Sequence, residues 1–215
     1  MSGTPSTHLI ITGSVATGKS YLQSQLLNYY NHLSPTLYPE FIYQDPLALS
    51  LLQRRFAKQI SPLTFQTFIL DKWEYTYQPQ PPSKLNIYER LPDDAVEVFS
   101  KLSLSPSEYA SQLERVKHFT LPKYSDMHSH DTVFIQYEND FNKPITKLLQ
   151  TLDSLILNYT YIVIHVQSKS SYHNYKHRNR TGEYYTPEEL EQLYELYELY
   201  MQEKIEQIKP KVIKL

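Results

Sequence analysis

The chain has no cysteine in its 215 residues. That excludes a disulfide-stapled scaffold and any thiolate metal site. It also lacks an apolar run near the roughly 20 residues of a membrane-spanning helix. Residues 1–8 carry neither the basic-then-apolar pattern of a secretory leader nor the arginines of a transit peptide. The expectation is a soluble cytoplasmic protein, in its own cell or in a host cell, without a membrane partner. Charge of one sign is lacking too: the net charge is −2, so nothing global draws the chain to nucleic acid. Tyrosine, by contrast, is abundant at twenty residues, and rings of this kind are expected in the core or at interfaces with the hydroxyl at an edge. The length predicts a single domain, 1–215, large enough for a substantial core.

Glycine is scarce, at four residues, and is therefore expected where backbone must turn sharply or approach a ligand closely. Gly13 and Gly18 frame the run Gly13-Ser14-Val15-Ala16-Thr17-Gly18-Lys19-Ser20, which is the phosphate-loop pattern G-x-x-x-x-G-K-S. Leu9–Thr12 before it reads as a buried strand. Residues 19–31 after it read as a helix, with Leu22, Leu26, Leu27 and Tyr30 at helical spacing. Strand, loop and helix in that order aim backbone N–H groups and a helix N-terminus at an anion. In such a loop Lys19 reaches the outer phosphates of a nucleotide and the Ser20 hydroxyl ligates Mg²⁺.

Strand and helix patterns alternate along the rest of the chain, which predicts an α/β fold of the P-loop NTPase type, a parallel sheet flanked by helices. Strands are expected at 36–38, 84–88 and 161–166, with 132–137 as a possible extra one; helices at 46–58, 62–77, 92–102, 105–118 and 144–157. Thr186-Pro187-Glu188-Glu189 is a capping box with proline at the first helical position, opening a last helix whose Leu190, Leu193, Tyr197 and Tyr200 share a face. The repeated Tyr-Glu-Leu-Tyr text is too short for a stable coiled coil and is read as packing on the chain's own domain.

Three further constellations carry chemistry. Glu40 lies just past a short strand, where a carboxylate on the loop side of a sheet can take a proton from an attacking hydroxyl. Glu89-Arg90 ends a buried strand; the carboxylate suits Mg²⁺ through water, and the guanidinium suits a phosphate or the carboxylate base. Lys176, Arg178 and Arg180 alternate before Gly182-Glu183, a spacing that converges on an anion and fits a cationic lid closing on a triphosphate.

The ordered set resembles the deoxynucleoside kinase family, which includes deoxycytidine, deoxyguanosine and mitochondrial thymidine kinases and, more distantly, herpesviral thymidine kinases. Thr64-Phe65-Gln66-Thr67-Phe68 is similar to the family's base-reading helix. Tyr88-Glu89-Arg90 with Phe99 nine residues after the arginine resembles its strand-end motif, and Arg178-x-Arg180 with Glu183 resembles its lid. The resemblance runs from residue 9 to about 205, interrupted over 104–158. It implies ATP with Mg²⁺ as donor, Glu40 as general base toward a sugar 5′-hydroxyl, and Gln66 on the base edge. It further implies Arg90 at the 5′-oxygen and transferring phosphate, Arg178 and Arg180 clamping phosphates, Glu183 on the sugar, Phe99 near the base, and a homodimer.

Several positions depart from the pattern. Asn174 stands where cellular members carry a lid arginine, with Lys176 as a possible substitute. Leu91 replaces a serine, Phe56 a sugar-contacting tyrosine, Trp73 an arginine and Ala95 an aspartate, although Asp93 and Asp94 are adjacent to the last. The stretch 120–145 looks inserted. A glutamine amide can read thymine or, flipped, cytosine; the missing arginine and aspartate and the flat Trp73 favour thymidine. The closest alternative is a nucleoside monophosphate kinase such as thymidylate kinase, which needs a further basic residue for the acceptor phosphate. A GTPase is disfavoured because Asn142-Lys143-Pro144-Ile145 lacks the guanine-reading aspartate. A non-catalytic binding protein is disfavoured by the intact Lys19 and Ser20.

Overall fold

The structure is a computed structural model that describes residues 6–42, 44–76, 83–140, 144–168, 175–176 and 184–215. Six strands form one all-parallel sheet: β1 (Thr7–Thr12), β2 (Thr36–Tyr38), β3 (Leu85–Glu89), β4 (Thr132–Glu138), β5 (Tyr161–Gln167) and β6 (Lys211–Lys214), in the order β2-β3-β1-β5-β4-β6. The helices are α1 (Lys19–Tyr29), α2 (Pro46–Phe56), α3 (Pro62–Thr76), the short α4 (Pro92–Asp94), α5 (Pro106–Lys117), α6 (Thr146–Leu155) and α7 (Pro187–Ile208).

The strands read as continuous apolar runs because both sheet faces are covered. Side chains alternate between the faces. Leu9, Ile11, Ile87, Val133, Ile135, Ile162 and Ile164 pack with Leu22 and Leu26 of α1 and Leu148, Leu152 and Leu155 of α6. Ile10, Tyr38, Tyr88, Phe134 and Val163 face the other way, toward residues of α2, α3, α5 and α7 such as Leu52, Trp73, Val116 and Tyr197. The tyrosine surplus is partly spent on that second face. Tyr38 stacks on Tyr88 at 4.4 Å between ring centroids, and the Tyr88 hydroxyl lies 3.0 Å from His8 Nδ1. Burial pushes the Tyr88 hydroxyl well above its usual range, so it stays a neutral hydrogen-bonding group.

Local chemistry starts the helices. The Asp45 carboxylate accepts from the Leu47 and Ala48 N–H groups at 2.8 and 3.2 Å, with Pro46 first in α2. The expected box before α7 is formed: Thr186 Oγ1 accepts from Glu189 N–H at 3.2 Å, and Glu189 accepts from Thr186 N–H at 2.8 Å. Leu190, Leu193, Tyr197 and Tyr200 are all buried, as their shared face requires.

Three elements differ from the sequence reading. The helix expected over 92–102 is α for three residues and then π-helical over Ala95–Ser100, a distortion that recurs at functional sites. The stretch 132–138 is a full interior strand, hydrogen-bonded to β5 and to β6. β6 was not expected: it contributes only Val212 and Ile213 between two lysines, too short a signal to read, and those lysines suit an edge strand exposed to solvent. Among the described residues no helix is long and apolar enough to cross a membrane.

Candidate active site

In a parallel sheet the carboxyl ends of all strands lie along one edge, and loops leaving that edge meet at the point where the connections diverge. β1 sits there, between β3 and β5. Four polar features follow strand ends directly: the loop after β1, Glu40 two residues past β2, Arg90 one residue past β3 and Asn139 one residue past β4.

The loop after β1 is shaped by its glycines. Gly13 has φ 139°, and a Cβ there would lie 2.4 Å from the Val166 carbonyl oxygen, so neither the conformation nor the space admits a side chain. Gly18 (φ 96°) is the left-handed residue that opens α1. Lys19, the first residue of that helix, is buried and donates from Nζ to the Ser14 carbonyl at 2.6 Å. The Thr17 carbonyl accepts from Asn139 Nδ2 at 2.9 Å, which ties the loop to the end of β4. Val15, Ala16, Gly18, Lys19 and Ser20 border a cavity of about 850 Å³, while Gly13, Ser14 and Thr17 do not.

The floor of the cavity is a cluster of buried charge. Ser20 Oγ donates to Glu89 Oε1 at 3.0 Å. Arg90 forms an ion pair with Glu40 through Nη1 and donates from Nη2 to the Gly13 carbonyl at 3.3 Å. Its guanidinium lies 4.9 Å from the centroid of the Phe99 ring and 5.8 Å from that of Tyr197. The Arg90 backbone is left-handed (φ 67°), a conformation that costs a non-glycine residue ~1–3 kcal/mol and is held here by the Arg90 N–H donating to the Ile11 carbonyl at 2.9 Å. Burial raises the Glu89 carboxyl above its usual range and the Glu40 charge adds to the rise, with Lys19 and Arg90 opposing it. Burial works against the Arg90 charge, but Glu40, then Tyr197, Glu89 and Asp94, outweigh it, so Arg90 stays cationic.

Aromatic rings and the Gln66 amide also border the cavity, as does the exposed Gln192. Phe41 meets Trp73 edge-on at 5.9 Å, and Phe65, Ile69 and Phe56 extend the apolar surface. Gln66 is buried among them and borders the cavity; among the described residues its amide has no hydrogen-bond partner. The structure thus brings together Lys19, Ser20, Glu40, Phe56, Gln66, Trp73, Glu89, Arg90 and Phe99 around one space. Phe99 backs the arginine as well as facing the cavity. Lys176 is described and exposed but does not border the cavity. Arg178, Arg180 and Glu183 lie outside the described residues.

Sequence reasoning missed Asn139 and noted Asp94 only as adjacent to Ala95, with no role. Asn139 follows a strand that was only a possibility from sequence. Asp94 is fully buried and accepts from Thr12 Oγ1 and from the Leu91 N–H, both at 3.0 Å, locking the end of β1 to the turn after β3. Its neighbour Asp93 turns away from the cavity toward Glu97 and Lys204. Burial, then Asp94 and Glu97, push the Asp93 carboxyl up to about 7, from an ordinary value of 3.8. The folded state therefore holds a proton that the unfolded chain releases near pH 4, and stability falls as pH rises between about 4 and 7. A rise from 3.8 to about 7 caps the effect at about 4 kcal/mol. Asp93→Asn is expected to raise the melting temperature at pH 8 by several degrees and to flatten its decline between pH 5 and 7.5; an unchanged slope in thermal melts across that range counts against it.

No protein-family model matches the chain, and no curated protein matches its sequence. The chain is of the α/β class, with a six-stranded all-parallel sheet flanked by helices.

Proposed function

We propose that the chain is a P-loop kinase that transfers the γ-phosphoryl group of ATP to the 5′-hydroxyl of a pyrimidine deoxynucleoside, thymidine favoured, with residues 176–183 as an arginine lid. The observation that carries this reading is one cavity with Lys19, Ser20 and the Glu40–Arg90 pair on its floor and, on its wall between aromatic rings, the buried Gln66 amide, unpartnered among the described residues. Its volume, about 850 Å³, lies within the usual range for small-molecule sites.

In the proposed reaction the loop amides and Lys19 hold the donor's phosphates. The Ser20 hydroxyl and the Glu89 carboxylate are adjacent hard oxygen donors, which fits Mg²⁺, and they would hold it together with the nucleotide. The ion would offset charge on the phosphates. Glu40 accepts the proton of the attacking hydroxyl, while Arg90, fixed by Glu40 and the Gly13 carbonyl, faces the transferring group. Positioning and charge neutralisation dominate a transfer of this kind. On the wall, the Gln66 amide offers a donor and an acceptor to a pyrimidine edge, and the Phe41–Trp73 surface flanks the flat base.

The test is ADP release from ATP–Mg²⁺ with thymidine, deoxycytidine, deoxyadenosine, deoxyguanosine and thymidine 5′-monophosphate. Turnover is expected with a pyrimidine deoxynucleoside, and turnover with none of them refutes the reading. Gln66→Ala is expected to lower nucleoside kcat/KM by about 10²-fold while leaving ATP affinity within about twofold, because an unpaired amide reads the acceptor alone. An equal loss of ATP affinity would place Gln66 elsewhere in the reaction.

A further inference from the structure

Two more cations border the same cavity. Arg55 and Lys58 stand at the C-terminal end of α2, on the wall that also carries Phe56. Among the described residues neither side chain pairs with an acid or makes a hydrogen bond. Cations elsewhere do better: Arg115 holds Asp71 and Glu74, Lys72 holds Asp45, and Lys204 holds Glu97. The one acid among the α7 residues at the cavity, Glu189, is engaged by the Thr186 N–H. A helix C-terminus favours cations through its dipole. That accounts for Arg54 as well, which is exposed and outside the cavity. Lys58, unlike Arg54, borders the cavity, and it keeps a left-handed backbone (φ 57°) just past the helix end, where glycine carries less strain.

Burial locates the pair. Lys19, Glu89 and Arg90 are each less than a tenth exposed and form the floor. Arg55 is half-buried and Lys58 exposed, beside Phe56, whose ring meets Tyr184 and Tyr185 edge-on at 6.1 and 4.9 Å. Tyr184 is itself exposed, so this wall is the mouth of the cavity.

Resting on the kinase reading above, we propose that the acceptor carries a phosphate remote from its reacting hydroxyl: a nucleoside 3′-phosphate, free or as the 5′-hydroxyl end of a short oligonucleotide. The donor's phosphates belong to the loop and Lys19. A nucleoside 5′-phosphate would put its phosphate at the floor beside Glu40, because that phosphate is the reacting group. A 3′-phosphate lies on the far side of the sugar and meets the mouth, where the Arg55 guanidinium offers a two-pronged donor and Lys58 a point charge. The 5′-oxygen forms a bond to the γ-phosphorus of ATP, the bridging bond to ADP breaks, and the proton passes to Glu40. The 3′-phosphate takes no part in bond changes.

Steady-state ADP release is compared for thymidine, thymidine 3′-monophosphate, thymidine 5′-monophosphate and a thymidine dinucleotide with a free 5′-hydroxyl. In the parent, kcat/KM for the 3′-monophosphate is expected to exceed that for thymidine by about tenfold or more, as charge-assisted contacts imply. The excess should shrink as salt screens the mouth. In Arg55→Ala/Lys58→Ala the ratio should fall toward one. A dinucleotide that matches the 3′-monophosphate identifies an oligonucleotide end, and one that is not used identifies a free nucleotide. If thymidine is used and the 3′-phosphate gives no advantage, or if the advantage survives the double substitution, the inference is overturned and the kinase reading stands. Preference for the 5′-monophosphate overturns it as well. If no acceptor is used, both fall.

Discussion

Lys19→Ala is expected to lower kcat/KM for phosphoryl transfer by at least roughly 10³-fold in a variant that remains folded at the assay temperature. The activity loss follows from the place of the charge. Lys19 is buried in the first turn of α1, its Nζ parked 2.6 Å from the Ser14 carbonyl inside the loop. That turn contains no acidic residue. A cation at a helix N-terminus opposes the helix dipole, a cost offset in part by the nearby Glu89 and Asp94 carboxyls and further by an arriving phosphate. In the proposed reaction Lys19 is the charge that follows the phosphate oxygens, and removing one preorganised donor from such a site costs about 10²–10³-fold, more where the donor carries a full charge. Stability is read separately, because Lys19 also faces the buried Glu89 and Asp94 carboxyls and offsets their charge. ADP release and a thermal melt read the two sides separately. A variant within tenfold of the parent in kcat/KM would falsify the assignment of the loop to phosphate. A variant that is inactive only because it unfolds would show as a large drop in melting temperature instead.

Much of the fold was legible because the signals were local and redundant. The strand–loop–helix unit at 7–29 follows from an apolar run, two glycines and a leucine repeat, and each of those is a backbone or burial requirement acting within a few residues. The start of α7 follows from one capping box. What was not legible depended on partners far away in sequence. β6 is a strand only because β4 is there to pair with Val212 and Ile213. The π-helical turn after Asp94 packs against α3, α5 and α7, and no period in the sequence announces it. Within the candidate site, the strand-end residues Glu40, Glu89 and Arg90 were readable because a parallel sheet puts every such end on one edge. The roles of Asn139 and Asp94 were not, since Asn139 acts on the loop after β1 and Asp94 on Thr12 at the end of β1, each more than 80 residues away. Arg55 and Lys58 belong to no sequence motif, and only the fold brings them to the cavity.

The Glu40–Arg90 pair concentrates the chemistry of the floor, and its neutralisation is the second large expected effect. Glu40→Gln should lower kcat by about 10²–10⁴-fold with nucleoside KM nearly unchanged, because an amide cannot take up the proton of the attacking hydroxyl. The amide oxygen can still accept from Arg90 Nη1, so the shape of the floor is kept. Arg90 also retains the Gly13 carbonyl and the nearby Glu89 and Asp94, so it is not left as an isolated buried charge. Full removal of one partner from a buried pair costs roughly 3–5 kcal/mol, but the Glu40 side chain is 17% exposed and the replacement is isosteric, so a cost of about 1–2 kcal/mol is expected. One effect runs the other way. The Glu40 charge is among the causes that raise the Glu89 carboxyl, so the variant should let Glu89 ionise more readily and hold Mg²⁺ at least as well as the parent. The signature is therefore a loss confined to kcat, with Mg²⁺ dependence no weaker and a modest drop in melting temperature. If kcat stays within tenfold of the parent, Glu40 is not the base. If kcat falls together with a weakened Mg²⁺ requirement, the carboxylate at position 40 was serving the metal rather than the hydroxyl, and the proton must leave by way of Glu89 or solvent.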